Sequence, residues 1–183
     1  LINDILEIDC LDGSRKTIRN SAVPVRGTDG NLLGAILVNE DITMLRQAQE
    51  ALRLTQFSVD HAVEGFFWIS SDARILHVNE AVCRMLEYTR DELSTMNIHD
   101  IDPNFPPEVW QAHWEELKQR GSLTFESKHW SKTGRVLDTE VTVNYLQYEG
   151  KEYNCAIMRD IAERKQVEEA LRASEERYGS AVA

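Results

Sequence analysis

The order of predicted elements between residues 61 and 162, β-β-α-α-α-β-β-β, predicts an α+β domain: a five-stranded antiparallel sheet with helices on one face, followed by a further helix. Three observations carry this. The last three strands are consecutive and joined by short turns at Lys132-Thr133-Gly134 and Glu149-Gly150, which makes them sequential antiparallel hairpins. The helical segments cluster between the early and late strands instead of alternating with them, so no parallel crossover sheet is expected. The segment Asp41 to Arg53 recurs 119 residues later as Asp160 to Arg172, with seven of thirteen positions identical. A repeat of that length means tandem domains, because solenoid units run roughly 20–50 residues.

Each element has a local cause. Phe66-Phe67-Trp68-Ile69 is an aromatic and β-branched run ended by Ser70-Ser71-Asp72, a strand and a turn. Ile75 to Val78 is the second strand. Asn79 is placed to cap a helix whose apolar face carries Val82, Met85 and Leu86. Thr89-Arg90-Asp91-Glu92 has the form of a capping box. Pro106 and Pro107 suit the first turn of a helix on which Trp110, His113, Trp114 and Leu117 share a face, with Gly121 at its end. The late strands are expected at Leu123–Trp130, Arg135–Leu146 and Tyr153–Ile161. Gly13 to Asp41 reads as two strands around a turn at Asp29-Gly30, matching Gly134 to Asp160.

The formal net charge of −11 argues against a nucleic-acid partner, which would need a basic stripe, and against an anionic membrane surface. The three cysteines, Cys10, Cys83 and Cys155, are scattered and odd in number. No disulfide framework or zinc site is expected, and a reducing cytoplasm fits. No apolar run reaches the roughly 18 residues that would span a membrane. The opening inside a strand-like stretch suggests part of a longer chain, whose other segments could hold a membrane anchor.

The residues now described resemble the PAS family. The resemblance is carried by Phe67-Trp68-Ile69, by Arg74-Ile75-Leu76-His77-Val78-Asn79, by Tyr88-Thr89-Arg90-Asp91-Glu92-Leu93, by the turn Lys132-Thr133-Gly134-Arg135, and by the closing Asp160-Ile161-Ala162-Glu163-Arg164-Lys165. Glu87 stands where the family usually has Gly, so that corner is expected to be built differently. The resemblance implies a PAS fold and the following division. Residues 1–43 are the C-terminal part of a preceding repeat, 44–60 a coiled-coil-like linker helix, 61–162 a complete PAS domain, and 163–183 a linker helix leading into a further repeat. It also implies a sensory and dimerisation module acting on an output domain elsewhere in the chain, a histidine kinase or a diguanylate cyclase. No catalytic constellation is present in this sequence: there is no phosphate loop, nucleophile elbow or kinase signature.

The resemblance places Phe67 and Ile69, Val141 and Val143, and Ala156 and Met158 on the inner face of the sheet, at alternate positions as strands require. That face would suit a small apolar ligand, and equally a filled core or a ligand-free structural relay. No cofactor is expected. Flavin-binding relatives use Asn-Cys-Arg where this sequence has Asn97-Ile98-His99, and haem through His113 is disfavoured against a packed core histidine. His99-Asp100-Ile101-Asp102-Pro103 reads as a turn and not as a metal site.

Asp41, Ile42 and Thr43 in the first copy, and Asp160 and Ile161 in the second, stand where strand passes into helix and are the expected signal-transfer residues. Ile42, Leu45, Gln49, Leu52, Gln56, Val59 and Val63 follow a 3-4 spacing, the seam of a parallel dimeric helix with polar breaks. In the second copy the frame gives Ile161, Arg164, Glu168, Leu171, Glu175, Tyr178 and Val182, a poorer seam. The expected partners are a second copy through these helices and flanking repeats in cis.

Overall fold

A computed structural model describes the backbone of residues 2–179 and the side chains of 4–175. The chain divides into two compact units, one ending at Phe57 and the other beginning at Ser58.

The first unit is a three-stranded antiparallel sheet in the order β1 (Ile2–Asp9), β2 (Arg15–Arg26), β3 (Leu32–Asp41). Gly13 and Gly30 take positive φ in its two turns. Among its described residues only Ile42 is buried, while Leu33, Ile36, Leu37 and Val38 are exposed. Three strands have too little apolar area to enclose a core. Helix α1 (Thr43–Asp60) follows. It stops short of the expected seam residue Val63. In a longer helix the Val59 carbonyl would accept from the Val63 amide; here it accepts from Ala62 N at 3.3 Å and from Asn79 Nδ2 at 2.9 Å.

The second unit holds β4 (Gly65–Ser70), β5 (Ile75–Val78), α2 (Glu80–Leu86), α3 (Arg90–Leu93), a 3-10 turn at Ile98–Asp100, α4 (Pro107–Arg120), β6 (Ser122–Trp130), β7 (Val136–Tyr148), β8 (Lys151–Asp160) and α5 (Ala162–Gly179). The sheet is antiparallel throughout in the order β5-β4-β8-β7-β6, so β8 lies at its centre. The strand ends differ from expectation by one to two residues, and Ile161 falls outside β8. Glu149 and Gly150 both take positive φ, the geometry of a two-residue hairpin turn.

One face of the sheet is covered by helices. Phe67, Ile69, Val141, Val143, Ala156 and Met158 point inward against Val82, Leu86, Leu93, Trp110, Trp114 and Leu117. Gly65 is required where β4 passes α2, because a Cβ there would stand 2.9 Å from Val82 Cγ2. Asn79 Oδ1 accepts from Val82 N and from Phe66 N, so one buried side chain caps α2 and holds β4. Thr89 and Glu92 form the capping box of α3. Lys132 and the Thr89 amide hold the Glu92 carboxyl down at about 2. At the corner after α2, Glu87 itself takes the left-handed conformation usual for Gly, with φ 62°. Its carboxylate accepts from Thr133 Oγ1 and, at 2.9 Å, from Ser131 Oγ, which offsets the strain of a side chain there.

Candidate functional site: a core cavity beside the central strand

A small cavity lies between the inner face of the sheet and the helices. The room for the centre of a water molecule is about 30 Å³, space for roughly two or three waters. All six inner-face residues expected from the sequence line it: Phe67, Ile69, Val141, Val143, Ala156 and Met158. Ile98 of the 3-10 turn and Phe105, Trp110 and His113 close the helical side. The cavity as it stands is smaller than a porphyrin or a flavin ring. No thiol lines it: Cys155 lies on the opposite face of β8 from Ala156, and Cys83 lies on α2 outside the lining.

His113 is packed among rings, with Phe105 at 4.6 Å and Phe125 at 5.6 Å between centroids. Burial pushes its pKa below the ordinary 6.5, which keeps the imidazole neutral. Trp110 anchors the same helix by donating from Nε1 to Ser71 O at 2.7 Å.

The wall also carries polar groups that the apolar reading of the strands did not include: Asp102, His129 and Asn154. Asp102 is buried, and its carboxylate accepts from Ser127 Oγ at 2.7 Å and from Asn104 N at 2.9 Å. The Thr139 hydroxyl donates to Ser127 O at 3.1 Å, so its oxygen is the acceptor in the 2.9 Å contact with His129 Nδ1. That places the proton of a neutral His129 on Nδ1 and leaves Nε2 bare, 3.6 Å from Asp102 Oδ2. Burial lowers the His129 pKa and favours this neutral form; nearby Asp102 opposes it more weakly. Asn154 is 1% exposed, and its Oδ1 has no hydrogen-bond partner. Both residues were within reach of sequence reasoning. Asn154 is one alternation before Ala156 on β8, and His129 continues the inward series Phe125, Ser127 on β6. Asp102 reaches the wall from a loop, which no strand period predicts.

The cavity wall runs directly into α5. Met158 lines the cavity, and two residues later Asp160 Oδ1 accepts from Ala162 N at 2.8 Å, capping α5. Ile161 is buried and donates its N–H to Asp138 O at 3.0 Å. Lys165 then reaches Asp138 at 2.9 Å, and Arg164 reaches Glu126 at 2.6 Å and Glu140 at 3.0 Å, tying the first turn of α5 to β6 and β7. The first unit repeats the joint. Ile42 N donates to Thr17 O at 2.9 Å, and Asp41 Oδ1 accepts from Thr43 N at 3.0 Å. Thr43 and Lys16 hold the Asp41 carboxyl down at about 2.

The expected seam residues Leu45, Leu52 and Leu171 are exposed, and Val59 is half-buried. Val63 lies beyond α1. The side chain of Tyr178, and Val182, fall outside the described residues.

The comparisons with known proteins agree with this architecture. The chain is 32% identical over 110 residues to the methyl sulfide methyltransferase-associated sensor of Methanosarcina acetivorans, a match spanning 58% of this chain and 11% of that protein. It is 25% identical over 121 residues to sporulation kinase E of Bacillus subtilis, spanning 65% of this chain and 16% of that one. The chain thus matches a small part of each relative's length. The solved PAS domain of a two-component sensor histidine kinase superposes with a TM-score of 0.54 at 30% identity, covering 62% of this chain and 99% of that one. Residues 63–163, more than half of the chain, match the PAS domain family, and the chain belongs to it.

Proposed function

We propose that the second unit is a sensory module in which the state of the core cavity sets the position of α5, and through α5 the activity of a histidine kinase elsewhere in the parent protein. The observation that carries this is the continuity of β8. Ala156 and Met158 line the cavity, and the same strand ends at the Asp160–Ile161 joint that caps and anchors α5. A shift of β8 therefore acts on a helix held to the sheet through Ile161, Arg164 and Lys165. The kinase output is supported by the names of the relatives, a sensor and a kinase. The apolar residues left exposed on the helices, Leu45 and Leu52 on α1 and Val167 and Leu171 on α5, suit pairing with a second copy, whose register would report the shift. A second reading, a ligand-free relay, is favoured by the small volume of the cavity.

The test is disulfide cross-linking of Leu171→Cys and Val167→Cys variants, with Cys10, Cys83 and Cys155 replaced. The cavity-filling substitution Val143→Phe serves as a surrogate for occupancy. The relative cross-linking yields of the two positions should change when the cavity is filled. The same pairing with and without Val143→Phe would refute the coupling.

A further inference from the structure

We infer that the core cavity is a binding site for a small neutral molecule that brings an N–H or O–H donor to Asn154 Oδ1, an alcohol or primary amide with a short apolar body. This deepens the sensory reading above and rests on it.

Three observations converge. Asn154 Oδ1 is the single buried side-chain oxygen or nitrogen without a partner among the described residues, and its side chain lines the cavity. Buried acceptors are nearly always satisfied, because an unmade hydrogen bond in the interior forfeits the solvation the group had in water. Another acceptor on this wall, His129 Nε2, faces the Asp102 carboxylate at 3.6 Å once Nδ1 is committed to Thr139. At Asn154 Oδ1 the wall therefore offers an acceptor, and a ligand group presenting only an acceptor there would meet a like partial charge.

The remaining surface, with Phe67, Ile69, Val141 and Met158, is apolar and calls for a hydrocarbon body. The volume admits a few non-hydrogen atoms. A charged ammonium is disfavoured: the Asp102 carboxylate already accepts from Ser127 and Asn104, and a buried ion needs a closer free counter-charge. Position supplies the signalling consequence. Asn154 is on β8, so a bound donor pulls on the strand that feeds α5, whereas a purely apolar guest touches it only by packing.

Titration of the full chain with ethanol and with acetonitrile, followed by 1H–15N NMR, tests this. The two probes are close in size, and only ethanol carries a donor. Ethanol should give saturable shifts at Asn154, Ala156 and His129 with an affinity in the millimolar range, as its size allows. Acetonitrile should bind about tenfold or more weakly, the cost of an unmade hydrogen bond. Asn154→Leu should abolish the difference between the probes. Should that variant not fold, the wild-type comparison decides alone. Equal affinity for both probes would overturn the donor assignment and leave a ligand-binding sensor standing. Saturation by neither would mean that water fills the cavity, and would overturn the assignment and ligand sensing together.

Discussion

At the scale of single residues, the interior of the second unit owes its character to a few polar groups held neutral or fully bonded. Asn79 makes all four of its hydrogen bonds: Oδ1 accepts from Phe66 N and Val82 N, and Nδ2 donates to the carbonyls of Val59 and Glu64. The Oδ1 of Asn154 accepts from no partner, and this contrast singles it out. The buried imidazoles set a pH dependence. Burial lowers the folded-state pKa of both His113 and His129, so each stabilises the fold above the unfolded value near 6.5 and that contribution is lost as pH falls below it. Melting temperature should therefore decline from pH 7 to pH 5 in thermal scans. His113→Phe, which keeps an aromatic ring among Phe105, Trp110 and Phe125, should fold and show a shallower decline. An unchanged slope would mean that His113 does not titrate with unfolding.

At the scale of elements, the strand-to-helix joint explains why its residue types recur in both units. Asp caps, Ile plugs the end of the sheet, and the N–H of that Ile closes onto the strand beside it, at Thr17 in one unit and Asp138 in the other. The contributions differ in kind. Ile161 is 2% exposed, so Ile161→Ala should cost about 2–5 kcal/mol in urea unfolding of the second unit. Arg164 is 42% exposed, and Arg164→Ala should cost far less, because solvent screens its ion pairs. If the two cost the same, the joint is held by charge and not by burial. The left-handed Glu87 belongs to this scale too. Sequence comparison marked the position as unusual, but the carboxylate contacts to Ser131 and Thr133 that stabilise it come from the distant β6–β7 turn.

At the scale of the molecule, the two units differ in how much they bury. The second has a contiguous core from Phe67 to Met158, whereas the first buries only Ile42 among its described residues. Its three strands share the sequential antiparallel order of β6, β7 and β8. In the second unit β8 is covered on its other edge by β4, and among the described residues β3 has no such neighbour. Hydrogen exchange should follow: amides of β7 and β8 protected up to the global stability, those of β1 and β3 exchanging orders of magnitude faster in dilute protein. Comparable protection in both sheets would show that the first unit is covered by a second copy. Slower exchange there at higher protein concentration would identify the same cause.

Much of this was legible in the linear sequence. The family resemblance placed six side chains of β4, β7 and β8 on one face, at the alternate positions that a strand's period of two requires. The caps at Asn79 and Thr89, the proline start of α4 and the Glu149-Gly150 corner were legible because they are local: cause and effect lie within a few residues. The expected linker bounds, 44–60, agree with α1, but the 3-4 spacing through Val63 did not register that stop, since an atom that takes the Val59 carbonyl belongs to Asn79, twenty residues on. Nor did it show that Asp102, from a loop, would meet His129, from β6, at the wall that Asn154 shares. By itself, then, the sequence determined the fold, the family and the face that would be lined. Tertiary structure alone decided the size and polarity of the cavity, because a cavity is what remains when distant segments fail to fill a space, and no single segment records that.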